Sequence, residues 1–185
     1  MDIVEIHLIS VDSTHTYAKT HGDSFPKDKI TCITAEEQTA GKGQFQRKWV
    51  SPPKVNLYTT FYFHLPVKTE NITSLALLMA ISVKTVLEKE GLKASLKWPN
   101  DVQLNGKKVA GALCETIFHP LHIEIILSFG LNVNMEEKDL ATIDQMATSL
   151  KYETDKTWDK KDLLKKIQEQ FLLDLAAFKK TNHCK

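Results

Sequence analysis

The sequence predicts an α+β domain in which a mixed, largely antiparallel sheet is backed by helices. Three observations predict it. β-branched and aromatic runs recur along the chain, an Asn105-Gly106 hairpin signal joins two of them directly, and only two long segments repeat apolar residues at helical spacing. At 185 residues the chain fits one domain, residues 1–185, and can sustain a core without staples.

Each element has its own signal. Ile3 to Ile9 alternates apolar and polar residues and reads as a strand. Asp12-Ser13-Thr14 offers cap-forming side chains ahead of a short helix running towards Lys19. Ile30 to Ala35 is a second β-branched run, and Gln38 to Pro53 breaks into a polar loop. Val55 to His64 is strongly β-forming. Asn71 to Glu90 is the first long helix: Leu75, Leu78, Met79, Ser82, Val83, Val86 and Leu87 mark one face, and Gly91 terminates it. Strands follow at Ala94–Trp98, Val102–Leu104, Lys108–Thr116 and His122–Val133. Asp162 to Phe178 is an amphipathic helix with Leu163, Leu164, Ile167, Phe171, Leu172, Leu175 and Phe178 inward.

Composition excludes more than it assigns. Hydrophobic residues at 42% and charged residues at 25% are ordinary for a globular chain, and a net charge of +1 gives no reason to expect a nucleic-acid partner or an acidic membrane surface. The start of the chain lacks the basic and apolar regions of a signal peptide, and no stretch approaches the ~20 apolar residues of a membrane span, so a cytoplasmic location is expected. Cys32, Cys114 and Cys184 include no CxxC pair and are expected to be free thiols.

Four segments carry candidate chemistry. Gln38 to Trp49 holds Gly41 and Gly43, which allow close backbone approach to a ligand, with Lys42, Arg47 and Lys48 for charge and Trp49 as a flat stacking face. It matches neither the P-loop nor the dinucleotide fingerprint, and a solvated basic loop accounts for it equally well. Lys97-Trp98-Pro99-Asn100-Asp101 places a proline in a strand, so that Asn and Asp turn off the sheet to read a heterocycle or hold Mg²⁺, unless they only bond to nearby backbone. Lys107 to Gly111 follows the hairpin turn. Strict alternation there puts Lys108 on one face with Ala110, and Gly111 leaves room for a flat ligand; a lysine so placed can neutralise charge as a carboxylate attacks a phosphate, or can be an ordinary surface lysine. Gly130-Leu131-Asn132-Val133-Asn134 ends an apolar strand with amides that need partners.

Taken together and in order, these segments resemble the biotin protein ligases over nearly the whole chain. The resemblance rests on Ser13-Thr14-His15, the loop Gly41–Trp49, the intact Lys97-Trp98-Pro99-Asn100-Asp101, Lys108 with Gly111, Gly130-Leu131-Asn132, and Ala147-Thr148-Ser149-Leu150. It implies a catalytic domain of the biotin/lipoate ligase kind, related to class II aminoacyl-tRNA synthetases. It also implies an ATP- and Mg²⁺-dependent enzyme that makes biotinyl-5′-AMP and passes biotin to a lysine of a biotin carboxyl carrier protein, the domain modified in acetyl-CoA carboxylase. A homodimer is compatible with it.

By the same resemblance Ser13, Thr14, His15, Gln38, Gly41, Lys42, Gly43, Gln44 and Gly111 would bind biotin. Arg47, Lys48, Trp49, Lys97, Asn100, Asp101 and Asn132 would hold ATP or the adenylate. Lys108, contacting carboxylate and α-phosphate, and Arg47 would be catalytic. No resident metal is expected; Asp101 is the candidate for Mg²⁺ carried with ATP. Four positions depart from the pattern: His15 replaces an asparagine, Gln44 stands where relatives often have arginine, and Phe45 and Gln46 replace small residues, which predicts a stiffer loop and leakier adenylate retention. The chain is expected to carry neither the family's N-terminal winged helix nor its complete C-terminal β-barrel. Two other classes compete: a lipoate ligase or acyltransferase of the same fold, with Cys114 as the transferase nucleophile, and a non-catalytic biotin or adenylate sensor.

Overall fold

The computed structural model describes residues 2–183; Cys184 lies outside them. Seven strands form one sheet in the order β1-β2-β3-β7-β6-β5-β4. They are β1 (Ile3–Val11), β2 (Ile30–Gln38), β3 (Leu57–Pro66), β4 (Ala94–Lys97), β5 (Asp101–Leu104), β6 (Lys107–Phe118) and β7 (His122–Leu131). Every pair is antiparallel except β1 with β2, which run parallel because α1 (Thr14–His21) crosses between them. The β5–β6 hairpin turns on Asn105 and Gly106, both at positive φ (49° and 76°), as a two-residue primed turn requires.

The faces of the sheet have different cover. On one face Phe61, Phe63, Ile125, Leu127 and Phe129 pack against α2 (Leu75–Lys89) and, after the short α3 (Glu137–Leu140) and α4 (Leu150–Thr154), α5 (Lys160–His183), and Phe61 stacks on Phe171 with centroids 4.8 Å apart. Leu78, Leu164 and Leu172, expected inward, are only partly buried at the edge of this core. On the other face, alternation brings up Thr60, Tyr62 and His64 from β3 and Ser128, Ile126 and Glu124 from β7. Tyr62 and Ile126, in the middle, are covered by Ala18 of α1, Phe25 and Ile33. The two polar ends stay outside this small core. Ser128, with Thr60 buried beside it, borders a cleft; His64 and Glu124 lie at the opposite end. Among the described residues no helix is long and apolar enough to cross a membrane.

Candidate active site

One wall of the cleft is a chain of hydroxyls anchored at the start of α1. Ser13 caps that helix by accepting from His15 N at 3.2 Å, which fixes Thr14 beside the C-terminal end of β2. Thr14 then donates twice to Gln38 Oε1, through its backbone N–H at 2.9 Å and its hydroxyl at 3.1 Å. Thr60 donates to Thr14 Oγ1 at 2.8 Å, Thr60 and Ser128 meet at 2.7 Å, and Ser128 meets His15 Nδ1 at 2.8 Å. His15 Nε2 lies 3.2 Å from Glu115, whose other oxygen pairs with Lys19. Burial pushes the His15 pKa below its ordinary value, against the pull of Glu115; Lys19, first among its causes, holds the Glu115 carboxyl low. The pair is therefore a neutral imidazole beside an ionised carboxylate.

The far end of the cleft is built on bare backbone. Gly111 and Gly130 are directly opposed across β6 and β7. A Cβ on Gly130 would fall 2.5 Å from Trp49 Nε1, and one on Gly111 would fall 3.0 Å from Lys108 Cε and 3.1 Å from Asp101 Oδ1. The two glycines thus let the Trp49 indole and the Lys108 side chain lie flat on the sheet. Lys108 Nζ pairs with Asp101 Oδ1 at 2.8 Å and sits 5.4 Å from the Trp49 ring centre, within cation–π range. Its backbone is clamped on both sides: Lys108 N donates to Met146 O at 3.0 Å, and Thr148 N donates to Lys108 O at 2.9 Å.

Between these ends hangs the loop 41–49. Gly43 N donates to Arg47 O at 2.7 Å and Trp49 N to Gly41 O at 2.9 Å, so the loop is a closed hairpin with Phe45 at its tip. Phe45 adopts left-handed backbone angles (φ 55°, ψ 41°), a region costly for a residue with a Cβ, and its ring is 87% exposed. Lys42, Arg47, Lys48 and Lys97 line the cleft with Lys108, against one carboxylate, Asp101. Among the described residues those first four form no ion pair. The loop is tied to the hydroxyl wall through Gln38, whose Nε2 donates to Ser51 Oγ (3.0 Å), which donates to Trp49 O (2.9 Å).

The structure brings most of the predicted residues to one cleft, corrects one expectation about a strand face, and shows what already engages four other residues. A Cβ on Gly41 would meet Trp49 O at 2.5 Å and Ser51 Oγ at 2.6 Å, so close packing within the loop itself calls for a glycine there. Lys108 shares its face with Asp101 and Gly111, not Ala110, because the register shifts between Val102 and Gln103 and Ala110 drops into the core. Asn100 is buried at the edge of the cleft, with Nδ2 donating to Ala112 O and Ala112 N donating to the Asn100 backbone carbonyl at 3.0 Å, so the sheet holds its amide in place. Asn132 is likewise engaged, donating to Thr148 O (3.0 Å) and accepting from Asn56 (3.4 Å), and it borders a second, smaller recess behind Trp49. Asp101, expected for Mg²⁺, is held by Lys108.

Sequence reasoning missed Thr60, Ser128 and Glu115, and marked Gly130 as part of a candidate segment without the role its pairing gives it. The pairing of Ser128-Phe129-Gly130 opposite Gly111–Leu113 is what assigns them, and a single strand read alone does not give it. A roomier hollow of about 600 Å³ lies between β1–β3 and α5, against about 230 Å³ in the cleft. Its carboxylates are already engaged, Glu36 with His7 (3.3 Å) and Lys160 (3.0 Å) and Glu5 with Gln168 (2.8 Å), and among the described residues only lysines beside them stay unpaired, so the meeting of hydroxyls with a cationic glycine loop, and not size, marks the cleft. The Cys114 thiol is pushed up to about 12 by burial and packs against the core, which removes it as a nucleophile; Cys32 is equally raised.

A sheet carrying hydroxyls and a clamped lysine on one open face, under a cationic glycine loop, defines a class: the model of the biotin/lipoate A/B protein ligase family matches residues 8–132, and the chain belongs to that family. Relatives and solved structures that it resembles include biotin ligases. It is 29% identical over 171 residues to the bifunctional ligase/repressor BirA of Bacillus spizizenii, covering 90% of this chain and 53% of that protein. It is 33% identical over 123 residues to the biotin–[acetyl-CoA-carboxylase] ligase of Mycobacterium tuberculosis, covering 64% and 44%. The structure of the biotin protein ligase from Aquifex aeolicus in complex with biotin and ATP superposes with a TM-score of 0.77 at 36% identity, covering 95% of this chain and 72% of that one. The chain spans about half the length of the curated relatives it matches.

Proposed function

We propose that this chain is an ATP-dependent biotin protein ligase that forms biotinyl-5′-AMP and transfers biotin to a lysine of a biotin carboxyl carrier protein. One observation carries the reading: a single cleft is neutral and hydroxyl-lined at one end (Ser13, Thr14, Gln38, Ser128) and cationic at the other (Arg47, Lys48, Lys97, Lys108). The first end offers hydroxyls, an amide and a backbone N–H to a uncharged ureido ring; the second suits phosphates. In the first step a biotin carboxylate oxygen attacks the α-phosphorus and pyrophosphate leaves. In the second a lysine amine attacks the acyl carbon, AMP leaves, and the ammonium proton passes to solvent or base.

Lys108 is the catalytic cation of this proposal. Its backbone is gripped by residues 146–148 and its ammonium is pre-placed by Asp101 and Trp49, so it stands where negative charge develops with little reorganisation. Arg47 and Lys48 receive the leaving phosphates from the loop, and Trp49 supplies a flat wall. Asn100 and Asn132 frame the nucleotide region through the sheet and the 146–149 segment. Mg²⁺ enters with the triphosphate: the one carboxylate of the cleft is already paired, and such a donor set fits an ion carried by phosphates better than a resident one. Incubation with biotin, ATP, Mg²⁺ and a carrier domain, read by intact mass, tests the reading. The expected result is one biotin per carrier; an unchanged carrier mass overturns it. Biotin against lipoate in an ATP–pyrophosphate exchange assay separates the two ligase classes.

A further inference from the structure

The end of the open sheet face away from the cleft gathers three imidazoles around one carboxylate. His64 ends the polar row of β3 and stands in register with Glu124 of β7. The turn between β6 and β7 is closed by His119 N donating to His122 O at 2.9 Å, which brings both histidines back over the same spot. The ring centres of His64 and His122 are 4.5 Å apart, as are those of His119 and His122. Ligand atoms of His64, His122 and Glu124 all lie within 4.8 Å of one another. His119 Nε2 is buried with no hydrogen-bond partner among the described residues, yet it sits 2.6 Å from Glu124 Oε1: the contact is close but off the line a hydrogen bond needs.

We propose that His64, His119, His122 and Glu124 form a binding site for a divalent cation of the Zn²⁺ class. Imidazole nitrogens with one carboxylate oxygen suit a borderline ion that accepts four tetrahedral ligands. Bonds of ~2.0–2.1 Å put tetrahedral ligand atoms roughly 3.3 Å apart, so closing the present spacing takes side-chain adjustment and no movement of the strands. The Tyr62 hydroxyl, 3.3 Å from His64 Nε2, is the outer contact that orients one ligand. Such an ion ties β3, β7 and the β6–β7 turn together. Glu124 is four residues along β7 from Ser128, about 13 Å at strand spacing, so the site is separate from the cleft and independent of the ligase reading.

The test uses the untagged full chain. Equilibrium dialysis against Zn²⁺ with elemental analysis is expected to give one ion per chain, and Co²⁺ loading the intense visible absorption of a tetrahedral site. A hundredfold excess of Zn²⁺ over its Kd is expected to raise the Tm by roughly 5–10 °C. His122→Ala and Glu124→Gln should weaken binding by about a hundredfold or more. His119→Ala, on the exposed turn, should do so by at least about tenfold with an unchanged circular dichroism spectrum, which guards against a folding artefact. Zinc retention equal in the native chain and in His64→Ala/His122→Ala, or a weak octahedral Co²⁺ spectrum, overturns the site.

Discussion

The two sides of the cleft are opposites in how their polar groups are satisfied. On the wall, Thr14, Gln38, Thr60, Ser128 and His15 are buried or half-buried and bonded to one another, ending on Glu115. On the loop, Lys42, Arg47 and Lys48 carry charge with no acidic partner among the described residues, and Phe45 holds a left-handed backbone with its ring in solvent. A satisfied buried network fixes geometry, because an orphaned member costs its full desolvation. A charged loop without partners costs little to move and gains its contacts from the ligand. In the reaction proposed above, the wall recognises a shape and the loop closes on an anion.

Variants should break this contrast in a definite order. The largest effect is expected where the sides meet: Lys108→Ala should lower ATP–pyrophosphate exchange by about 10²–10³-fold or more with the fold intact, and unchanged turnover would refute its role. Next, Arg47→Ala should weaken kcat/KM for ATP by about tenfold or more, about 1.4 kcal/mol, with no change in Tm; a Tm drop would mean the loop is structural after all. Thr60→Val should do the reverse. Removing a buried hydroxyl leaves Thr14 and Ser128 short of a partner, costing about 1–3 kcal/mol and roughly 2–4 °C of Tm per kcal/mol, with weaker biotin binding by calorimetry and little effect on the KM for ATP.

Acid should act on the wall too. The folded-state pKa of His15 lies below its unfolded value near 6.5, so the unfolded chain binds the extra proton and stability falls as pH drops below about 6.5. Glu115, held low, adds a further loss at still lower pH, since its stabilisation is present only while it is ionised. Urea midpoints at about pH 7.5 and 5.5 should therefore differ, and His15→Asn should flatten that difference. The smallest and most pointed change is Gln44→Arg: a restored loop charge should slow biotinyl-adenylate dissociation, and equal off-rates would remove Gln44 from the account.

The fold was legible where local chemistry is decisive. Asn105-Gly106, the Ser13 cap, the α2 and α5 apolar stripes and the β-branched runs each stand where the periodicity puts them. The site was legible as a set of residue types in order. Two kinds of information were not. Strict alternation misplaced Lys108 because a one-residue register shift has no signature in Lys107-Lys108-Val109-Ala110. The partners of Asn100 and Asn132, Ala112 and Thr148, had no signature in the sequence because they are backbone carbonyls 12 and 16 residues away.

By itself, then, the sequence determined the strands and the three longer helices, the glycine loop, the Lys97–Asp101 segment, and the family they imply, because these depend on neighbours in the chain, while the short helices Glu137–Leu140 and Leu150–Thr154 went unread. Only the tertiary structure decided that Gly111 faces Gly130, that Lys108 is clamped by residues 146–148 and held by Asp101, that His15 ends on Glu115, and that His64 meets His119, His122 and Glu124. Strand pairing and side-chain satisfaction are relations between residues distant in sequence, and their free energy is settled only when the whole sheet is assembled.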